Sequence, residues 1–255
     1  MKAEKDQHFL IDSKAVDKIA DCADVRGRTV LEIGPGGGVL TDALLKRGAI
    51  VKAVELDRKL IPNLNNLFSK EIESKRLEII CADASKIDLP DFELAVANLP
   101  YSISSKITFR LLEHGFECAV LMYQSEFAKR MAAHCGSGDY GRLSVMVQTY
   151  SDVEFIMELP PESFSPPPEV YSAVVKLIPH SPPVPIRNKK IFEELVRELF
   201  SKRRKTIRNG IKGMAEHCGK DSVDRFISET PDDILNLRPE MLKVSDFIKI
   251  SNKLC

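Results

Sequence analysis

The period of the apolar positions changes along the chain, and the changes mark the elements. Residues 28–33 (RTVLEI), 50–54 (IVKAV), 77–81 (LEIIC), 93–97 (ELAVA) and 119–122 (AVLM) are short, nearly continuous apolar runs. That is the pattern of strands covered on both faces. Helical spacing lies around and between them. Residues 11–22 carry Ile11, Ala15, Val16, Ile19 and Ala20 on one stripe, with Asp12 or Ser13 as N-cap, and 39–48, 58–68 and 104–115 follow. Strands alternating with helices as far as Met122 predict a parallel sheet with helices on both faces. The pattern then shifts. Residues 143–150 (LSVMVQTY) and 172–178 (SAVVKLI) are β-rich with no long helix between them. They are expected to close one sheet edge as a late antiparallel pair. The expected fold class is α/β, a Rossmann-like, mostly parallel sheet.

Two proline groups punctuate the rest. Residues 160–171 (PPESFSPPPEVY) hold five prolines and read as a stiff, extended connector. The second group, 179–185, marks a boundary. Two domains are therefore expected, 1–180 and 185–255. The second reads as all-helical, with Ile191, Phe192, Leu195, Val196, Leu199 and Phe200 on one face of 189–200 and a last helix from 237 toward 249.

Composition changes this picture little. Over 255 residues the net charge is zero, but 185–255 carries 16 Lys or Arg against 11 Asp or Glu. Five of those cations fall within 202–208 (KRRKTIR). Such a run is either a solvated turn or a phosphate-binding patch; Arg suits bidentate phosphate contact. Cys22, Cys81, Cys118, Cys135, Cys218 and Cys255 form no CxxC pair and read as reduced core thiols. No apolar run has the length of a membrane span, and the opening MKAEKDQHFL is unlike a secretory leader. A cytoplasmic protein with no membrane partner is the expectation, and a monomer is expected although the sequence itself carries no sign of oligomeric state.

The candidate chemistry gathers where strands end. Gly34, Gly36 and Gly38 follow the first run at alternate positions, giving GxGxG rather than the dinucleotide GxGxxG or a phosphate-cradling GxxxxGK[ST]. Glu55 ends the second run, 21 residues after Gly34, where an acidic side chain in such folds holds a ribose diol. Asp83 follows the third run, and Asn98-Leu99-Pro100-Tyr101 the fourth. In an open parallel sheet those ends share the ligand-binding edge. Each feature alone reads equally well as a tight turn or a helix cap. Their order resembles the S-adenosylmethionine-dependent methyltransferases that act on adenine amino groups. In that chemistry Asn98 Oδ1 and the Leu99 carbonyl are acceptors for the amine, Pro100 aims the carbonyl, Tyr101 offers a stacking face, and Phe164 covers the other face of the base. No metal is required.

The resemblance extends further. QHFL (7–10), EIGPGGGVLT (32–41), ELD (55–57), ADA (82–84), NLPYSISS (98–105), YQSEFAKR (123–130), SFSPPPEVYSAVV (163–175) and RRKTIRN (203–209) together resemble the ribosomal RNA small-subunit adenine dimethyltransferases. The resemblance implies a class I methyltransferase sheet with a small helical C-terminal domain. It implies S-adenosyl-L-methionine as cofactor and S-adenosyl-L-homocysteine as product. It also implies, as substrate, two adjacent adenosines in a hairpin loop near the 3′ end of small-subunit rRNA, within the precursor of the small ribosomal subunit. It places His8, Leu10, Gly34, Gly36, Glu55, Asp83 and Asn98 against the cofactor, Asn98 at the transfer site as well, and Arg203, Arg204, Lys205 and Arg208 against RNA. His8 stands where many members have Asn, and Tyr171 where many have Asp. Gln124, Glu126 and Arg130 receive no role. A related enzyme acting on a large-subunit adenine shares the pocket, and an assembly factor whose main role is binding shares the chain. A nicotinamide dehydrogenase does not fit GxGxG.

Overall fold

A computed structural model describes residues 7–254; the domain ends at 1–6 and 255, and with them Cys255, lie outside the described residues. The chain enters through a short strand, β1 (Phe9–Leu10). Helix α1 (Ser13–Asp21) starts where the Asp12 carboxylate accepts from Lys14 N and Ala15 N at 3.0 and 3.2 Å, and it buries Ala15, Val16, Ile19 and Ala20. Next come β2 (Thr29–Ile33), α2 (Val39–Lys46), β3 (Ile50–Glu55), α3 (Ile61–Leu67), α4 (Ser69–Glu73) and β4 (Leu77–Cys81). They are followed by β5 (Leu94–Asn98), α5 (Ser104–His114), β6 (Cys118–Gln124) and α6 (Ser125–Ala132), then α7 (Arg142–Gln148), β7 (Ser151–Leu159), β8 (Phe164–Ser165) and β9 (Ser172–Pro179).

Seven of the strands form one sheet in the order β4-β3-β2-β5-β6-β9-β7. β4 to β6 lie parallel, and β9 runs antiparallel to β6. Val30, Leu31, Val51, Val96 and Val120 are fully buried, as doubly covered strands require. From β2 the chain builds outward to β4, then returns to the other side of β2 for β5. This reversal leaves the C-terminal ends of β2 and β5 adjacent, the place where such sheets bind ligands. β1 and β8 pair apart from the sheet, with Phe9 opposite Ser165 and Leu10 opposite Phe164.

The described residues form two compact units, one running to Ala128 and resuming over Val153–Pro179, the other comprising Lys129–Asp152 and the chain from His180 onward. A boundary at 180–185 therefore captures one of three crossings. Lys129–Asp152, expected within the first domain, folds with the C-terminal segment. Its run 143–150 is not a strand but α7. Leu143, Ser144, Val145, Met146 and Val147 are all buried, so no polar face reveals the helical period. Ser144 Oγ accepts from Gly141 N at 3.1 Å and Thr149 Oγ1 donates to Val145 O at 2.7 Å, fixing its two ends. The strand beside β9 is instead β7, directly after it.

In the second unit α8 (Lys189–Ser201) is capped by Asn188, whose side chain accepts from Ile191 N at 3.2 Å. The expected last helix breaks into a 3₁₀ turn, Pro239–Met241, and a helix, Val244–Leu254. Pro239 has no N–H and holds Arg238 extended, so no helix passes through it. Among the described residues the cysteines form no disulfide, and of them Cys118 is buried, whereas Cys81 and Cys135 are exposed rather than core. No described helix is long and apolar enough to cross a membrane.

Candidate active site

The turn after β2 shapes the site. Gly34 N donates to Val54 O at 2.9 Å, which binds the turn to the neighbouring strand. Gly34 and Gly36 take φ of 72° and 58°, the left-handed region that glycine enters without strain. A Cβ on Gly36 would lie 2.8 Å from the Phe9 ring, so the N-terminal arm lies closely over this turn.

Glu55 braces the turn from below. Its carboxylate is buried at 5% exposure; Oε2 accepts from Gly36 N at 3.1 Å and Oε1 from Asp57 N at 2.8 Å. One side chain thus holds both the glycine turn and the turn after β3. Asp57 in turn accepts from Gln7 Nε2 at 3.2 Å, which ties the arm to that second turn. Asp83 accepts from Ser85 N at 2.9 Å and pairs with Lys86 Nζ at 3.0 Å. Hydrogen bonds from Ser85 and Lys86 hold its carboxyl down at about 2.

At the end of β5, Asn98 Nδ2 donates to the His8 carbonyl at 3.1 Å. Leu99 is buried, and Pro100 follows with φ −57°. The Tyr101 hydroxyl lies 2.6 Å from Ser172 Oγ, and its ring stacks on His8 with centroids 5.8 Å apart. His8 Nδ1 donates to Pro166 O at 2.8 Å.

These groups surround one cavity of about 320 Å³, within the range of small-molecule and cofactor sites. Of the expected site residues, His8, Leu10, Gly34, Gly36, Glu55, Asp83, Asn98, Leu99, Pro100 and Tyr101 all line it. Phe164 does not. Its ring is 2% exposed and belongs to the apolar core, because β8 turns it inward opposite Leu10. The four expected RNA contacts also divide. Arg203 donates to Gly138 O at 2.8 Å, and Arg208 pairs with Asp232. Arg204 and Lys205 are exposed to solvent. Ser172, which touches Tyr101, carries no signal in the sequence, and only tertiary proximity reveals it; Lys86, three residues after the Asp83 it pairs with, is within reach of a local reading.

Glu32 is a further buried acid beneath the turn. It accepts from Thr41 Oγ1 at 2.6 Å and is 1% exposed. Burial, with the Glu55 charge adding to it, pushes its carboxyl up to about 8, against the opposing effect of Thr41. Unfolded, this group ionises near 4.5. Between those values the native state holds a proton that the unfolded chain has lost, so Glu32 lowers stability progressively as pH rises. Glu32→Gln keeps the acceptor without the ionisation. In the ligand-free protein its thermal midpoint is expected to match wild type at pH 4.5 and to exceed it by roughly 5 °C at pH 8. Equal shifts at both pH values would contradict this account.

A parallel sheet with an antiparallel addition, a cavity at the strand-order reversal, and acids at the ends of successive strands define a class I methyltransferase. The family model described as ribosomal RNA adenine dimethylase matches residues 1–244. The chain belongs to that family. It is 54% identical to the probable ribosomal RNA small subunit methyltransferase A of Methanospirillum hungatei, over 100% of this chain and 99% of that protein. The Methanococcoides burtonii protein of the same name is 43% identical, over 97% and 91%. Among solved structures, a dimethyladenosine transferase from Plasmodium falciparum superposes with a TM-score of 0.81 at 32% identity, covering 95% of this chain and 96% of that one. The 23S rRNA methyltransferase ErmE gives 0.69 at 28% identity, covering 96% and 99%.

Proposed function

We propose that this chain transfers methyl groups to the exocyclic amines of two adjacent adenosines in a hairpin loop near the 3′ end of small-subunit rRNA, acting on the precursor of the small ribosomal subunit. The observation that carries the reading is the position of Asn98-Leu99-Pro100-Tyr101 on the wall of the cavity that also holds Glu55 and Asp83. Relatives named for the small subunit favour that substrate over the large-subunit alternative.

The cavity suits S-adenosylmethionine. Gly34 and Gly36 line it with left-handed backbone, Glu55 has lone pairs beyond its two N–H contacts for a ribose diol, and ionised Asp83 is an acceptor for an adenine amine. His8 and Leu10 close it from the arm. When bound, the cofactor supplies a methyl group already activated on a positively charged sulfur. The protein's work is positioning. Asn98 Oδ1 and the Leu99 carbonyl each accept a hydrogen from the target amine and draw its lone pair out of the ring. Among the described residues neither oxygen has another hydrogen-bond partner. Tyr101 offers a face on which the unstacked base rests. Arg204 and Lys205, exposed in the second unit, are the cations free to meet phosphate.

The test is mass spectrometry of nucleosides from both ribosomal subunits after incubation with the purified protein and labelled cofactor. The expected product is dimethyladenosine at two adjacent small-subunit positions. Label confined to large-subunit RNA, or monomethyladenosine as the end product, would overturn the assignment.

A further inference from the structure

We propose that the backbone carbonyl of His8 acts as a positioning group for methyl transfer, setting which end of the Asn98 amide faces the substrate. The inference rests on the adenine-methylating reading above and extends it to a group on the N-terminal arm.

An asparagine amide has two unlike ends, an oxygen that accepts and an NH₂ that donates. A target amine presents hydrogens, so only the oxygen can meet it. With the amide reversed, two NH₂ groups would face each other and the transfer geometry would be lost. Nothing in the shape of the side chain chooses between these states, because the two ends are nearly isosteric. The neighbour chooses. The group 3.1 Å from the amide is the His8 carbonyl, which can only accept. The end that faces it must be Nδ2, and Oδ1 is left for the cavity that Asn98 lines.

The carbonyl is itself held from several sides. The His8 ring donates through Nδ1 to Pro166 O at 2.8 Å and stacks on Tyr101. Before it, Gln7 reaches Asp57; after it, Phe9 packs over Gly36 and pairs with Ser165. The arm therefore grips the two turns braced by Glu55 and, through one carbonyl, the amide at the transfer site. Closing over the cofactor and orienting Asn98 become one event. This gives the His8 side chain an indirect role: it holds its own carbonyl in place, and Asn fits the same position if its amide can donate to Pro166 O.

The test uses the full-length protein, wild type and as His8→Gly, His8→Asn, Asn98→Ala and His8→Gly/Asn98→Ala. The Asn98 side-chain amide is assigned in ¹⁵N spectra by its loss in Asn98→Ala, and its proton exchange is followed with S-adenosylhomocysteine bound. Cofactor affinity is measured by calorimetry, and kcat and KM are measured on small-subunit particles at saturating cofactor. Expected are wild-type Asn98 amide protons exchanging at least ~10-fold more slowly than those of an exposed asparagine, and faster exchange in His8→Gly. His8→Gly should lose ~10-fold or more in kcat at saturating cofactor with KM for the particle within about threefold. His8→Asn should recover most of that loss, and adding His8→Gly to Asn98→Ala should cost less than about twofold more. Unprotected Asn98 protons in the wild-type protein would overturn the proposal whatever the variants do. So would a His8→Gly defect abolished by saturating cofactor, or an additive double variant, since both describe an arm that only binds cofactor. Protected amide protons in a wild-type protein that methylates neither subunit would instead sink the functional reading and leave the hydrogen bond standing.

Discussion

Asn98→Ala is expected to reduce methyl transfer at least ~100-fold while weakening cofactor binding less than about tenfold. The asymmetry follows from what the side chain touches. Its Nδ2 is spent on the arm, and its Oδ1 has no partner among the described residues until a substrate amine arrives. On the proposed reading the cofactor's ribose and adenine meet Glu55 and Asp83, which the substitution leaves in place. An adenine amine shares its lone pair with the ring, so its nucleophilicity depends on acceptors that hold both hydrogens out of the ring plane. Removing one of two acceptors leaves the Leu99 carbonyl, which accounts for a residual rate. Asn98→Asp offers a sharper comparison. A carboxylate has no donor for the His8 carbonyl, so two oxygens would face each other where 3.1 Å now separates a donor from an acceptor. It should be as inactive as alanine despite keeping an oxygen toward the cavity. Single-turnover kinetics with saturating cofactor, beside calorimetry with S-adenosylhomocysteine, separates the two effects. An alanine variant whose loss lay wholly in cofactor affinity would remove Asn98 from the transfer site.

The first four strands of the main sheet were legible because doubly buried strands write themselves as unbroken apolar runs, and each ended at the wall of the candidate cavity: Ile33 before the glycine turn, Glu55, Cys81 shortly before Asp83, and Asn98. Legibility failed where burial was complete without being a strand. Helix α7 has five consecutive buried residues, and its β-branched and apolar run suggested an extended chain; tertiary covering overrode local preference. β7 failed in the opposite sense, since Asp152, Glu154 and Glu158 interrupt it and Phe155 is 38% exposed. Phe164 illustrates a different limit. A stiff proline-rich connector suggested an available ring, but pairing with β1, more than 150 residues earlier, decides that the ring goes inward. The contacts that orient the transfer site share this remoteness: His8 with Asn98, and Tyr101 with Ser172. Motif spacing identifies the participants at a sheet edge, whereas the partners that fix their rotamers arrive from distant chain.

Glu55 should be the costliest position for cofactor binding, and its amide variant should be almost as damaging as alanine. An ionised carboxylate offers about four lone-pair sites. Two are already used, one on Gly36 N at 3.1 Å and one on Asp57 N at 2.8 Å, leaving two for a ribose diol. Glu55→Gln cannot reproduce this. Whichever way the amide lies, its NH₂ meets either Gly36 N–H or Asp57 N–H, and two donors in a site that is 5% exposed have no water to relieve them. Leaving a buried donor unpaired costs about 1–3 kcal/mol, and the displaced turn withdraws the Gly36 region from the cofactor as well. Calorimetry with S-adenosylhomocysteine should therefore show Kd rising roughly 100-fold for Glu55→Gln and a similar or larger amount for Glu55→Ala. Asp57→Ala gives the contrast. It removes the Gln7 contact at 3.2 Å yet leaves both N–H bonds to Glu55, since the backbone donor at 57 survives. Its loss should stay within about tenfold. A Gln variant binding as tightly as wild type would mean that the carboxylate serves neither turn nor ribose through its charge. The brace beneath the glycine turn would then have to come from the Gly34–Val54 bond alone.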